Sequence, residues 1–170
     1  RISNAVIPKN EFRIQFFVGS FITALAALIG LVQVISGVLA LVLNQPEILG
    51  TSQIALISPL NPARVGLGTV AIAGALWFYY WIKNANTKSG KTMWLLYVLV
   101  AGVGGSLVLG LISLTATIYK LLVWFIGEPT TKVLGEYFEG APTAAASAIV
   151  GLLAWWYHKS LLPVESSRSE

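Results

Sequence analysis

Few side chains in this sequence could do chemistry, and they start with its one imidazole. His158 is the only histidine, and the chain holds no cysteine and no aspartate. Imidazole is the usual axial ligand of haem iron, and it ligates the magnesium of chlorophyll in the same way. A bis-histidine haem needs a second His. His158 could therefore hold only a pentacoordinate pigment or a haem shared with another subunit. Beside this stands a plainer role. His158 follows Trp155, Trp156 and Tyr157 and precedes Lys159, a run typical of a membrane interface. The sequence favours that interfacial role.

Gly104-Gly105-Ser106 invites a comparison with intramembrane serine hydrolysis, with His158 as base. A nucleophile of this kind needs an oriented base and a set of oxyanion donors, and no such set is visible. Gly102, Ser106 and Gly110 recur every fourth residue, which makes a smooth stripe for close helix packing. Ser147 with Gly151, and Ala144 with Ala148, repeat the spacing. Lys120 and Gln33 are the other polar residues in long apolar runs. Lys120 lies late in its run, where its ammonium can snorkel to the interface, and Gln33 can hydrogen-bond between helices. Glu128, Glu136 and Glu139 read as a solvated or docking face. The absence of cysteine removes disulfides, thiolate nucleophiles and cysteine-held metals. No phosphate-binding loop or paired-carboxylate site appears, and Gly102-Val103-Gly104-Gly105 does not follow a strand. No enzyme is expected, and no resident metal.

The elements that position these residues are membrane helices. Of 170 residues, 56% are hydrophobic and 11% charged, against about 25% charged in an ordinary soluble domain. Mean hydropathy is +0.76. The net charge of +4 comes without a dense basic cluster, so nucleic acid is not an expected partner. Four apolar runs stand out: Ile14–Leu43, Val65–Ile82, Met93–Ile126 and Pro142–Leu162. The first is too long for a signal-peptide core. Loop 45–63 carries Pro46, Pro59 and Pro62, with Ile54–Ile57 as a short interfacial piece. Residues 83–91 form a basic turn, 127–141 a polar loop and 163–170 a polar tail. Eight basic residues (Arg1, Lys9, Arg13, Lys83, Lys88, Lys91, Lys159 and Arg168) fall on one side. Three (Arg64, Lys120 and Lys132) fall on the other. The positive-inside rule then places both termini in the cytoplasm. The expected fold is all-α: a polytopic protein of the bacterial cytoplasmic (inner) membrane, with four transmembrane helices as two tandem hairpins in a single membrane domain, 1–170.

The two hairpins read as copies of one unit, 12–84 and 91–162. Gly30-Leu31 corresponds to Gly110-Leu111. Aligning Gly74 with Gly151 sets Phe78, Tyr79, Tyr80 and Trp81 opposite Trp155, Trp156, Tyr157 and His158. Trp77, Tyr80, Trp81, Trp155, Trp156 and Tyr157 are the expected interfacial aromatics. On Trp77–Trp81 with Lys83, Leu95-Leu96-Tyr97 and Trp155–Lys159, the chain resembles an uncharacterised bacterial family of four-helix membrane proteins, grouped as a domain of unknown function. The resemblance covers roughly residues 12–162, with Trp81 in the first copy where the second has His158. It implies a fold and no activity.

Three functions are compatible with this pattern. The leading expectation is a non-catalytic accessory subunit of a larger membrane complex, respiratory or photosynthetic, with other integral membrane proteins and lipids as partners. The second is a small homo-oligomeric transporter or channel. The third is a haem- or chlorophyll-type pigment protein using His158.

Overall fold

The computed structural model describes residues 11–42, 60–85 and 91–162. The interfacial piece Ile54–Ile57, the charges Arg1, Lys9, Lys88 and Arg168, and the tail 163–170 lie outside the described residues. Among the described residues every regular element is a helix. In chain order these are α1 (Glu11–Val42), α2 (Leu60–Trp77), α3 (Lys91–Leu96), α4 (Ser106–Phe125), α5 (Leu134–Tyr137) and α6 (Ala141–Ser160). Two π-helical segments join them: Phe78–Ala85 extends α2, and Tyr97–Gly105 links α3 to α4 into one long rod.

Three helices are long and apolar enough to cross a membrane: Ile14–Leu41, Asn61–Ala85 and Thr92–Phe125. α1, at 32 residues, spans about 48 Å at 1.5 Å per residue, well over the ~30 Å of hydrocarbon. α6 has 20 residues, which is about 30 Å by the same measure. It is rich in alanine and closes on Trp, Tyr, His and Lys.

Packing shows what solvent the bundle is built for. α1 buries Ser20, Thr23, Gly30 and Gly37, and α2 buries Ala63, Gly66 and Ala73. The large apolar side chains Ile72, Val100, Ile112, Phe125 and Trp156 point outward. A soluble bundle places large residues inside, whereas a bundle in lipid gains nothing by hiding them and instead brings helices together over small ones. Buried hydroxyls are tied to their own helix: Ser20 donates to the Phe16 carbonyl at 2.7 Å, Thr23 to Gly19 at 2.6 Å, and Ser106 to Gly102. No polar group of these side chains is left facing lipid.

α1 packs chiefly along α2, and α4 along α6, while α1 also meets α6. Each main pair crosses at glycines. A Cβ on Gly66 would stand 2.6 Å from the Gly30 carbonyl oxygen, and one on Gly151 would stand 2.8 Å from the Gly110 Cα and 2.9 Å from the Ser106 oxygen. A Cβ on Gly74, the residue that the aromatic alignment sets opposite Gly151, would meet nothing within 4 Å among the described residues. The first crossing therefore falls two helical turns before Gly74.

The third apolar run differs from a uniform α-helix. Over Tyr97–Gly105 it widens to π geometry, in which each N–H reaches a carbonyl five residues back. The segment holds Gly102, Gly104 and Gly105, and a Cβ on Gly104 would sit 3.2 Å from the Leu99 oxygen, five residues upstream. The second expected run also continues beyond Ile82. Its π extension holds Lys83 and Asn84, and the Asn84 amide donates to the Tyr79 carbonyl at 2.7 Å. Loop 127–141 contains α5 and ends at Gly140, whose φ of 74° suits a residue without Cβ. Pro142 follows in the first turn of α6.

The Lys120 ammonium donates to the carbonyls of Tyr137 at 3.1 Å and Glu139 at 2.6 Å, in the connection that follows α4. Trp124 lies on the Tyr137 and Phe138 rings at 5.3 and 5.4 Å. The α4–α6 connection is thereby folded onto α4. The Gln33 Oε1 is buried beside the Gly30–Gly66 crossing, without a hydrogen-bond partner among the described residues.

Candidate functional site: a buried histidine beside an apolar groove

At one end of the bundle the start of α1, the π extension of α2, the start of the third rod and the end of α6 converge on one buried cluster. Trp81, Ala85, Tyr97 and Val98 form its centre, with Phe16, Phe17, Trp77 and Leu161 packed around them. Trp81 is 0% exposed, with its ring 4.4 Å from that of Tyr97. Its indole N–H donates to the Tyr157 hydroxyl at 3.2 Å, and that of Trp77 donates to the Tyr97 hydroxyl at 3.2 Å. These two bonds tie α2 to the third rod and to α6.

Of the six expected interfacial aromatics, one is fully enclosed. Trp81 belongs to the core. Trp77 and Tyr157 are half-buried in the same network. Tyr80 lies on α1, its ring 6.3 Å from Phe16, over Gly19. Trp155 is half-buried with the Lys159 ammonium 4.8 Å from its ring. Trp156, 68% exposed, is the one of the six that faces mainly outward. Helical periodicity explains the difference: four consecutive aromatics cover the whole circumference, so some of them must point into the bundle.

His158 is enclosed as well. It is 7% exposed and stands inside the bundle, with its ring 5.8 Å from Tyr97 and 5.0 Å from Tyr157. A Cβ on Gly102 would overlap its imidazole, so this glycine makes the room for the ring. The Nδ1–H donates to the Ala154 carbonyl at 2.7 Å. A carbonyl can only accept, so Nδ1 carries the proton. In the neutral ring Nε2 is then a bare lone pair. Nε2 is buried and has no hydrogen-bond partner among the described residues.

His158 also lines a groove of about 370 Å³ between α1 and the third rod. Phe21, Leu25 and Leu28 of α1 form one wall and Val100, Gly105 and Leu109 the other, while Ala154 and His158 supply α6's part of the lining. A neighbouring groove of about 270 Å³, from Ile14 and Met93 inward, shares Phe21, Tyr97, Val100 and Ala101 with it. The lining is almost wholly apolar.

The other marked residues take separate places. Gly110, Gly151 and Ser106 form the α4–α6 crossing, and Ser147 is half-buried on α6. Ser106 lines the groove as well, and its hydroxyl is held by the Gly102 carbonyl. Tyr97, Gly66 and the π segment were not singled out as site elements. Gly66 had a signal, because a glycine within an apolar helix costs about 1 kcal/mol against alanine and needs a packing reason. Tyr97 had none, since nothing local separates a core tyrosine from a belt tyrosine.

Comparison with known family models, curated proteins and solved structures finds no match to the chain. The resemblance to the bacterial four-helix family rests on its short motifs alone.

Proposed function

We propose that this protein is a non-catalytic, four-span integral membrane protein that holds a lipid-soluble ligand in the groove beside His158, as a subunit of a larger membrane assembly. The observation that carries this is the apolar groove of about 370 Å³ that His158 borders. A deep apolar groove is the usual form of a small-molecule site.

Support for four spans comes from α6. Its length matches the hydrocarbon thickness, it packs along α4, and its last residues meet the start of α1 at one end of the bundle. That arrangement agrees with both termini on the cytoplasmic side, where the basic residues gather. The outward-facing apolar surface suits neighbouring membrane subunits as well as lipid.

The test is gentle purification from native membranes, with co-purifying proteins and extracted small molecules identified by mass spectrometry. Wild type is expected to carry a lipid-soluble molecule in stoichiometric amount, and Ala24→Phe, which fills the groove from α1, is expected to lose it. Recovery of bulk lipids alone, in equal amounts from both proteins, would overturn the proposal.

A further inference from the structure

We infer that the two neighbouring grooves between α1 and the third rod form one seat for an acyl chain of an anionic phospholipid, with the lipid's headgroup at the end of the bundle where Arg13 and Lys91 stand. This rests on the ligand-holding function proposed above and names the chemistry of its occupant.

The packing explains why the seat exists. α1 pairs with α2 and α4 pairs with α6, both across glycines, whereas α1 and the third rod make few contacts of their own. The space left between them is about 370 Å³ beside Leu28 and Leu109 and about 270 Å³ beside Ile14 and Met93. The two parts share Phe21, Tyr97, Val100 and Ala101, so they run into one another. Ile14, Phe21, Leu25 and Val100 in the walls are about half-exposed, which leaves the cleft open along its side. At membrane depth that side faces hydrocarbon. An apolar cleft open to hydrocarbon is filled by an apolar group, because a polar solute there would lose its hydrogen bonds.

The dimensions select a thin occupant. From Ile14 to Leu28 α1 rises about 21 Å at 1.5 Å per residue. One leaflet is ~15 Å deep, half of the hydrocarbon core, so an acyl chain of that leaflet fits lengthwise along a tilted helix. A partner helix about 10 Å across would fill roughly 1,600 Å³ over the same length. The cleft is far too small for it.

Charge selects the headgroup. Arg13 directly precedes Ile14, and Lys91 stands two residues before Met93, at the end where the cleft meets the polar ends of the helices. Lys83 and Lys159 are exposed at the same end of the bundle, and Glu11 is the one carboxylate in the helices that meet there. A Lys or Arg near the membrane surface favours an anionic lipid about fivefold in affinity and gives an uncharged one no such advantage.

The test uses the full chain purified in detergent, with phosphatidylglycerol and phosphatidylcholine of identical acyl chains as probes and native mass spectrometry as the readout. Wild type is expected to retain one phosphatidylglycerol per chain, at least about tenfold more tightly than phosphatidylcholine. Ala24→Phe, inside the cleft, and Val100→Trp, on its exposed rim, are each expected to lose that lipid. Val100→Trp carries the test should Ala24→Phe fail to fold. Arg13→Gln combined with Lys91→Gln is expected to keep a bound lipid while its preference for phosphatidylglycerol falls about fivefold for each charge removed.

Equal retention of the two lipids by wild type would overturn the inference. So would a folded Val100→Trp that holds phosphatidylglycerol as tightly as wild type, or an unchanged preference in the Arg13→Gln and Lys91→Gln double variant. Should native protein carry a different lipid-soluble molecule that Ala24→Phe displaces, the ligand-holding function stands and the phospholipid falls.

Discussion

The imidazole of His158 lies flush against Gly102, so close that a Cβ there would overlap the ring and stand 2.8 Å from the histidine's own Cβ. The near end of the side chain is the part in contact, and its far side is anchored through Nδ1 to Ala154. The ring has no cheap way to yield. Gly102→Ala is therefore expected to destabilise the protein by about 1–3 kcal/mol, the usual cost of overpacking, outweighing the gain of up to about 1 kcal/mol from alanine's helix propensity. Thermal unfolding in detergent measures this, and a variant as stable as wild type would show that the contact is loose.

The crossing glycines give a contrast within one class of substitution. Gly66→Ala and Gly151→Ala each drive a methyl into backbone, at Gly30 and Gly110 respectively, and the helices must separate. Both are expected to lower the unfolding temperature. Gly74→Ala meets nothing within 4 Å among the described residues and is expected to leave stability unchanged or slightly raised by helix propensity. Equal effects at all three positions would mean that the helix pairs do not cross where the structure places them.

Lys120 holds the α4–α6 connection through two carbonyls, Tyr137 and Glu139. Lys120→Met keeps much of the apolar stem and removes both bonds. One of these bonds is exposed and the other part-buried; each contributes about 1 kcal/mol, so global stability should change little. Amide exchange in 134–139 is expected to speed up several-fold, while exchange in α6 beyond Ala146 is unaffected. Unchanged exchange in the loop would assign its order to the Trp124 ring contacts instead.

Because the chain has no cysteine, single cysteines report topology cleanly. Lys83, Lys132 and Lys159 are all exposed. With a membrane-impermeant thiol reagent, Lys83→Cys and Lys159→Cys are expected to label from the same side and Lys132→Cys from the other. Labelling of Lys132→Cys and Lys159→Cys from one side would mean that α6 does not cross.

What the sequence by itself determined is the solvent and the class of element. Uninterrupted apolar runs such as Ile14–Leu43 can satisfy their backbone in lipid only as helices, and proline, glycine and polar residues mark where those helices stop. Hydropathy is a sum over a window, so it needs no knowledge of neighbours. Which face of each helix turns inward is a different matter. In lipid, large and small apolar residues are nearly equal in transfer energy, so no hydrophobic stripe announces the buried side. Only the packed structure put Trp81 in the core and Trp156 outside, matched Gly66 to Gly30, and gave Lys120 its loop carbonyls. The same holds for His158. Its neighbours in sequence are interfacial residues, but those that define its chemistry, Ala154 one turn back and Gly102 on another helix, reach it only once α6 lies in register against the π segment. A proton fixed on Nδ1 and a lone pair left at Nε2 are consequences of that register, which depends on contacts fifty-six residues apart in the chain.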